Sequence, residues 1–385
     1  MIPVNSLSWR MERSNSVNKE LNEDDIQRYK RHISLKEIGI PGQIKLKNSS
    51  VLFVGAGGLG SSSILYASAA GIGRIGIIDD DQVEKSNLQR QVIHNINELG
   101  KNKTDSAAKR ILELNPNCDV KIFTERLNIK NVLQTIKDFD IVCDCSDNFG
   151  TRYLVNDACI ILSKPLIFGS VQGFEGQLSV FNLNKNSPTL RDLIPVPPQN
   201  TLIPSCDQFG VIGVSTGLIG VLQTNEIIKI ILNKGEILDG KILVFNLLDL
   251  SMKKLNLKLN SDKSIVDLNS SQQDYISENC SSIENIQKIS DFEFKKIHKN
   301  KSRKIMILDV REKDEFKKFS IQGSISMPLS LLNKKSSFEF IRKNSLGKEI
   351  YTICQKGIRS EKASQILIRE SIKSISVEGG IDNFN

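Results

Sequence analysis

The chain has 385 residues, enough for two domains each with its own core, and 25% of them are charged, with a formal net charge of +8. No apolar run reaches the roughly 18 residues of a membrane span, and the polar stretch 1–20 has no signal-peptide core, so no membrane association is expected. The positive surplus is lysine spread along the chain, and with one Trp and five Tyr there is no aromatic-interleaved basic stripe for nucleic acid. Seven cysteines, scattered and odd in number, fit a reducing compartment. Heavy use of Ile, Asn and Lys suits an AT-rich genome, so the expected location is the cytoplasm or an organelle stroma such as a plastid's.

The first chemistry-bearing segment runs from Val51 to Arg90. Val51–Val54 reads as a buried strand, Gly55-Ala56-Gly57-Gly58-Leu59-Gly60 as a tight turn, and Ser61–Ala70 as a helix whose N-terminal amides face phosphate. A strand over Ile75–Ile78 delivers Asp79, about 20 residues past the turn, to a ribose hydroxyl. That much describes a dinucleotide-dependent dehydrogenase equally well. The extra polar equipment argues for something else: Ser86-Asn87-Leu88-Gln89-Arg90, then Lys103 ahead of a helix over Thr104–Leu114. Hydride transfer needs no such clamp, whereas substitution at a triphosphate does, because fixed cations stabilise the developing charge without reorganising.

Next, the apolar strand Ile141-Val142-Cys143-Asp144 runs into the turn Cys145-Ser146-Asp147-Asn148. In an open α/β sheet ligands lie beyond the carboxyl ends of the strands, where Asp147 could hold magnesium against phosphates. The plain alternative is a polar loop capping a helix over Thr151–Leu162. Leu166–Asn182 and Ile242–Leu248 read as sheet, and the apolar run Val211–Leu232 as a buried or dimer-facing helix. Between them a Pro-rich crossover, Ser187–Phe209, carries Cys206, which is either a nucleophile or an ordinary small side chain.

Residues 260–287 turn polar and read as a linker. A fresh α/β pattern follows, with a strand over Ile305–Leu308 ending in Asp309-Val310-Arg311, a helix over Glu315–Phe319, and Ile325–Leu329 leading into a loop. A strand over Ile350–Ile353 then meets a helix over Glu361–Glu370. Between these last two lies Cys354-Gln355-Lys356-Gly357-Ile358-Arg359-Ser360, a cradle of amides and a helix N-terminus with Lys356 and Arg359 adding positive charge, which favours an anionic sulfur. A phosphatase loop places Cys and Arg around an anion too, but with a longer spacing between them. The remaining alternative is an inert buried cysteine.

In order and spacing, the glycine turn, Asp79-x-Asp81, Ser86–Gln91, Lys103 and Ser146-Asp147-Asn148 resemble the MoeB/ThiF family of adenylyltransferases, relatives of ubiquitin-activating enzymes, from about Asp25 to Leu257. The Cys354 loop, Asp309-Val310-Arg311 and Glu378-Gly379-Gly380-Ile381 resemble a rhodanese domain from about Ser290 onward. The resemblance implies an α/β chain in which a Rossmann-like adenylyltransferase domain, 1–259, is joined by a linker, 260–287, to a smaller α/β rhodanese domain, 288–385. It implies that Gly58, Asp79, Ser86, Asn87, Leu88, Gln89, Arg90, Lys103, Asp147 and Asn148 bind ATP, with Asp147 holding Mg2+. It further implies a homodimer in which Arg31 enters the partner's site, where the plain reading of Arg31 is one more exposed cation.

The implied reaction is adenylation of the C-terminal glycine of a small ubiquitin-like sulfur carrier ending in Gly-Gly, followed by sulfur transfer through a Cys354 persulfide loaded by a donor such as a cysteine desulfurase. A Gly-Gly tail suits a narrow channel, and tethering the two domains raises the persulfide's effective concentration to about the millimolar range. Arg90, Cys206, Cys354 and Arg31 are the expected catalytic residues, and Lys356, Gly357 and Arg359 complete the persulfide loop. The molybdopterin synthase small subunit is the favoured carrier, with tRNA-thiolation and thiamine-pathway carriers as alternatives. A dinucleotide-dependent oxidoreductase or a non-catalytic carrier-binding scaffold are the readings of another class. In one respect the chain departs from the family. Thr189 and Asp192 stand where many members have the first Cys-x-x-Cys of a zinc site, so no zinc is expected and the crossover is expected to be held by packing alone.

Overall fold

The structure is a computed structural model that describes residues 20–197, 210–258, 267–269, 271–275, 287–299, 304–332, 335–370 and 372–381. The chain divides near residue 278 into two compact units.

The first unit is built on an eight-stranded sheet of order β3-β2-β1-β4-β5-β6-β7-β8. Strands β1 (Ser50–Val54), β2 (Arg74–Ile78), β3 (Asp119–Phe123), β4 (Ile141–Asp144) and β5 (Leu166–Gln172) run parallel, and β6 (Glu175–Phe181), β7 (Lys241–Asn246) and β8 (Ser251–Asn256) continue antiparallel. Every residue of β1 is buried, as a parallel strand covered on both faces requires. Its side chains alternate. Val51 and Phe53 join Ile75, Ile77, Ile141 and Cys143 in one core, while Leu52 and Val54 join Ile78 and Val142 in the other. Helices Gly58–Ala70 and Gly213–Leu232 cover the first face, and Val132–Ile136 and Phe149–Ile161 the second.

The apolar run expected over Val211–Leu232 is therefore a core helix. It is zipped to its neighbour by buried hydroxyls, Ser62 Oγ donating to the Gly217 carbonyl at 2.9 Å and Ser63 Oγ lying 3.1 Å from Thr224 Oγ1. No helix of the described residues is long and apolar enough to cross a membrane.

Register fixes where a ligand can sit. Val54 lies opposite both Ile78 and Asp144, so the residues after β1, β2 and β4 emerge side by side at one edge. The order around β1 reverses there, which opens a crevice between the loops.

The crossover is not held by packing alone. Arg191 forms two hydrogen bonds to the fully buried Asp157, at 3.0 and 2.6 Å, and an ion pair with Asp274 at 2.9 Å. Tyr275 donates its hydroxyl to Asp157 at 2.7 Å, and Leu268 is buried in the same core. Residues of the polar 260–287 stretch thus dock on the first unit, because a buried carboxylate there needs donors. Thr189 and Asp192 are bonded to each other, Asp192 accepting from the Thr189 amide at 2.8 Å and hydroxyl at 2.9 Å to start a helical turn over Leu190–Leu193.

The second unit has an all-parallel five-stranded sheet of order β11-β10-β12-β13-β9, from β9 (Gln287–Ile289), β10 (Ile305–Asp309), β11 (Ser324–Ser326), β12 (Glu349–Ile353) and β13 (Ile375–Val377). Alternation again serves two faces, with Met306, Leu308 and Ile350 in one core and Ile307, Tyr351 and Ile353 in the other. A helix over Ile358–Arg369 begins inside the Cys354 loop, and the loop expected after Ile325 turns helical over Leu329–Leu332.

Candidate active sites

The glycine turn is braced from three sides. Gly55 has a φ of +102°, which only glycine adopts freely, and a Cβ on Gly60 would stand 2.2 Å from the Gly55 carbonyl oxygen. The helix starts at Gly58, inside the motif, so its unpaired first-turn amides lie at the crevice. Asp79 accepts from the Ala56 amide at 2.8 Å and the Asp81 amide at 2.9 Å. Its carboxyl pKa is raised by burial, against the pull of Lys103 and of those two amides. The expected ribose ligand therefore also holds the phosphate loop in shape.

His94 is the third brace. It is buried, with Nε2 3.0 Å from the Ala56 carbonyl and Nδ1 2.8 Å from Ser106 Oγ. Burial lowers its pKa, and a neutral ring with its proton on Nε2 satisfies both contacts. Gln91 is buried beside Gly57, and its Oε1 has no hydrogen-bond partner.

Lys103 is only 5% exposed, and its Nζ donates to Asp81 at 2.7 Å. Arg90 is half-buried and donates to the Ser86 carbonyl at 3.3 Å, while Asn87 Oδ1 accepts from the Glu84 amide at 3.2 Å. Ser86 donates to Glu84 at 3.1 Å, Leu88 is half-buried, and the exposed Gln89 sets its carbonyl against Gly213, at the start of the long helix. A Cβ on Gly58 would touch Thr216 of that helix at 3.0 Å.

At the end of β4, Asp147 is exposed and Asn148 caps the next helix, its Oδ1 accepting from the Thr151 amide at 2.9 Å. The capping reading of this turn thus holds for Asn148. Behind it, buried Arg152 donates to the Ser146 carbonyl at 2.8 Å, and buried Asp144 accepts from the Ser146 amide at 2.9 Å. Carboxylate oxygens of Asp79, Asp80 and Asp81 lie within 4.8 Å of one another. Hard oxygen donors of this kind, with Asp147 on the same sheet edge, suit magnesium.

In the second unit Cys354 follows β12 and is 1% exposed. The Gly357 amide donates to its sulfur at 3.1 Å, and Ser360 Oγ lies 3.6 Å from it. Gly357 has a φ of +91°, which turns the amide inward. Lys356 is exposed. Arg359 faces Glu315, a residue the sequence does not single out, through two hydrogen bonds of 2.6 and 2.7 Å. That bidentate pair holds the Glu315 carboxyl down at about 2. Arg311 is covered by Asp309 at 2.7 Å, Gln355 at 3.2 Å and the Phe319 carbonyl at 2.6 Å.

A model of the ThiF family matches residues 29–266, and one of the rhodanese-like domain matches residues 290–385. The chain belongs to the ThiF family. It is 37% identical over 383 residues to a protein of Drosophila virilis named adenylyltransferase and sulfurtransferase MOCS3, covering 94% of this chain and 83% of that one. It is 37% identical over 356 residues to a probable molybdopterin-synthase adenylyltransferase of Gracilaria tenuistipitata var. liui, covering 92% of this chain and 97% of that one. Among solved structures, the microcin C7 biosynthetic enzyme MccB in its complex with N-formylated MccA matches with a TM-score of 0.57 at 22% identity, over 63% of this chain and 76% of that chain. At that identity the likeness is one of fold.

In this ThiF chain the structure brings Gly58, Asp79, Lys103 and the turn before Asp147 to one sheet edge, with the Ser86–Arg90 loop against the long helix beside Gly58. Arg31 lies apart from them in sequence, exposed on a short helix over Lys30–Ile33. Cys206 lies outside the described residues. The sequence missed His94 as a brace, Glu315 as the partner of Arg359, and the Asp157–Arg191–Tyr275 cluster. For His94 a signal existed, since it stands four residues past Arg90.

Proposed function

We propose that this chain activates the C-terminal glycine of a small ubiquitin-like sulfur carrier with ATP and then supplies sulfur to it through a Cys354 persulfide, in molybdenum cofactor biosynthesis. The observation that carries the reading is the coexistence in one chain of a braced glycine loop with Asp79 and, through Asp81, Lys103 beside it, the Arg90 loop against the helix next to Gly58, and a buried cysteine under an inward-facing amide. Full-length relatives named for both activities support it.

In the first step a carrier carboxylate oxygen attacks the α-phosphorus, the bond to the β-phosphate breaks and pyrophosphate leaves. Amides at the start of the Gly58–Ala70 helix receive the phosphates, and Asp79 receives the ribose. Arg90 and Lys103 stabilise the departing charge, with Ser86, Asn87, Leu88, Gln89 and Asn148 shaping the pocket. Asp147 would hold Mg2+, which supplies charge neutralisation of the phosphates when bound. In the second step the terminal sulfur of the Cys354 persulfide attacks the activated carbonyl and AMP leaves, giving an acyl disulfide. A thiol then attacks Cys354 Sγ, the S–S bond breaks, the carrier leaves as its thiocarboxylate, and the disulfide left at Cys354 is reduced by a second thiol. Cys206 serves as the further thiol, Arg31 reaches the site of a second copy in a homodimer, and a cysteine desulfurase is the class of donor that loads Cys354.

The test is pyrophosphate exchange into ATP with purified protein and, in turn, a molybdopterin-synthase, a thiamine-pathway and a tRNA-thiolation carrier. Exchange with the first alone is expected. No exchange with any carrier at saturating magnesium would overturn adenylation, and exchange with another carrier alone would overturn the choice of pathway.

A further inference from the structure

The crevice beside Gly58 is flanked by a second helix start. The helix Gly213–Leu232 has 20 residues, and its N-cap, Ile212, offers no side chain to the first-turn amides. No acidic residue stands in that turn, and no described residue accepts from the amides of Gly213 and Val214. A Cβ on Gly213 would stand 2.5 Å from the Gln89 carbonyl oxygen and 3.2 Å from Arg90 Cα, and Thr216 lies against Gly58. This helix start therefore adjoins the glycine turn and the Arg90 loop at once. Ser215, in the same turn, is fully buried, and its Oγ has no hydrogen-bond partner. Other hydroxyls at these two helix starts bond to their own backbone, Thr216 donating to the Gly213 carbonyl at 2.8 Å and Ser61 to the Gly57 carbonyl at 2.7 Å. A helical Cα–Cβ bond tilts toward the helix N-terminus, so the idle Ser215 hydroxyl leans to the open end. Ile219, one turn on and on the same face, packs on Gly169 of β5 and Gly176 of β6. Ser215 thus stands over the carboxyl end of β5, where Gly173 bridges to Val211.

Resting on the reading of the first unit as an adenylyltransferase, we propose that this helix start is the seat of the carrier's C-terminal carboxylate, held by the Gly213 and Val214 amides and the Ser215 hydroxyl. Unpaired amides at the positive end of a long helix, with one idle hydroxyl, suit a carboxylate's acceptor oxygens. Position separates this anion from the nucleotide. Asp79 follows β2, on one side of β1, and Ser215 stands over β5, on the other. A nucleotide with its phosphate at Gly58 and its ribose at Asp79 runs away from this turn, which leaves the side of the antiparallel strands to the incoming tail. The reaction brings two anions within bonding distance. A second helix dipole opposes their repulsion without rearrangement, and amides that hold one carboxylate oxygen leave the other to attack the α-phosphorus.

Val214→Pro removes one of the two amides. Proline is tolerated in the first turn of a helix, and the Val214 side chain is 66% exposed, so the helix should form. The assay is pyrophosphate exchange by the full chain with a carrier ending in Gly-Gly that supports it. KM for the carrier is expected to rise about tenfold or more relative to Val214→Ala, which keeps the amide, while KM for ATP and for pyrophosphate stays within about twofold. Ser215→Ala should raise the carrier KM about threefold or more with no fall in Tm, because the hydroxyl has no partner to lose. A fall in Tm with the carrier KM unmoved is what a structural role gives, and it overturns the seat. Binding without ATP is a second measure: the wild type should hold the carrier more tightly than the same carrier ending in a carboxamide, and Val214→Pro should lose most of that preference. An equal preference in both proteins, or a rise in KM for ATP or pyrophosphate in place of the carrier's, overturns the proposal. Wild-type protein that shows no exchange with any carrier ends the adenylation reading itself, whereas wild-type exchange with an unmoved carrier KM in both variants ends only the seat.

Discussion

Arg191→Met tests whether an ion-pair network holds the crossover. Arg191 is 24% exposed at its side chain and Asp157 is fully buried, so the substitution leaves a carboxylate in the core without its cation. Burial opposes the charge on Arg191, and the Asp157 and Asp274 carboxylates outweigh it, which raises its pKa. Breaking a buried pair from one side costs about 3–5 kcal/mol. Two neutral donors stay with Asp157, the Tyr275 hydroxyl at 2.7 Å and Asn156 Nδ2 at 2.8 Å, and Met keeps an apolar stem over the Tyr153 ring. The low end, about 3 kcal/mol, therefore applies, and at roughly 2–4 °C per kcal/mol for a unit of this size Tm falls by about 6–12 °C.

Scanning calorimetry of the full chain reads this, with urea unfolding as a second measure. The double variant Asp157→Asn/Arg191→Met removes both charges and should recover at least about half of the loss, because the unpaired charge is the main cost. A single-variant shift under about 2 °C, or a double variant as unstable as the sum of the two singles, would refute the network as the fastening.

Arg90→Ala should abolish pyrophosphate exchange while Cys354 still accepts sulfur, and retained exchange would remove Arg90 from the chemistry. Asp79→Asn cannot accept from both the Ala56 and Asp81 amides, so about 1–3 kcal/mol of stability should be lost along with ATP affinity; a more stable variant in urea would contradict the brace. The Glu315 carboxyl is depressed from 4.5 to about 2, so its pairing contributes above the higher value and is lost only as pH falls through the lower one. The pair's contribution to stability should accordingly be flat from about pH 5 to 9, so the difference in Tm between wild type and Glu315→Gln should not change on going from pH 7 to 5, and a steep change there would contradict it.

What the sequence disclosed is what local pattern encodes. The buried run of β1, the glycine turn, Asp79 after β2 and Lys103 ahead of its helix each follow from a short period or a turn residue. Helix starts came out early because the glycine motif and the Cys354 loop supply the first turns themselves, at Gly58 and Ile358. The strand Gln287–Ile289, which begins where the polar stretch 260–287 ends, went unread because three residues at a sheet edge carry no legible alternation. Arg359 and Glu315 are 44 positions apart, and Asp157 and Tyr275 are 118 apart. No period in the chain announces such pairs, because tertiary placement alone creates them.

The two sites share one electrostatic arrangement. Lys103 is nearly buried and is paired at 2.7 Å with Asp81, whose side chain is 66% exposed. Arg359 is paired with Glu315, about a third exposed on each side. A cation left alone in either place would carry a desolvation cost, and an exposed carboxylate relieves it. On the proposed reading a triphosphate brings more negative charge and more acceptor oxygens than Asp81 offers, so Lys103 would exchange Asp81 for it as the nucleotide docks.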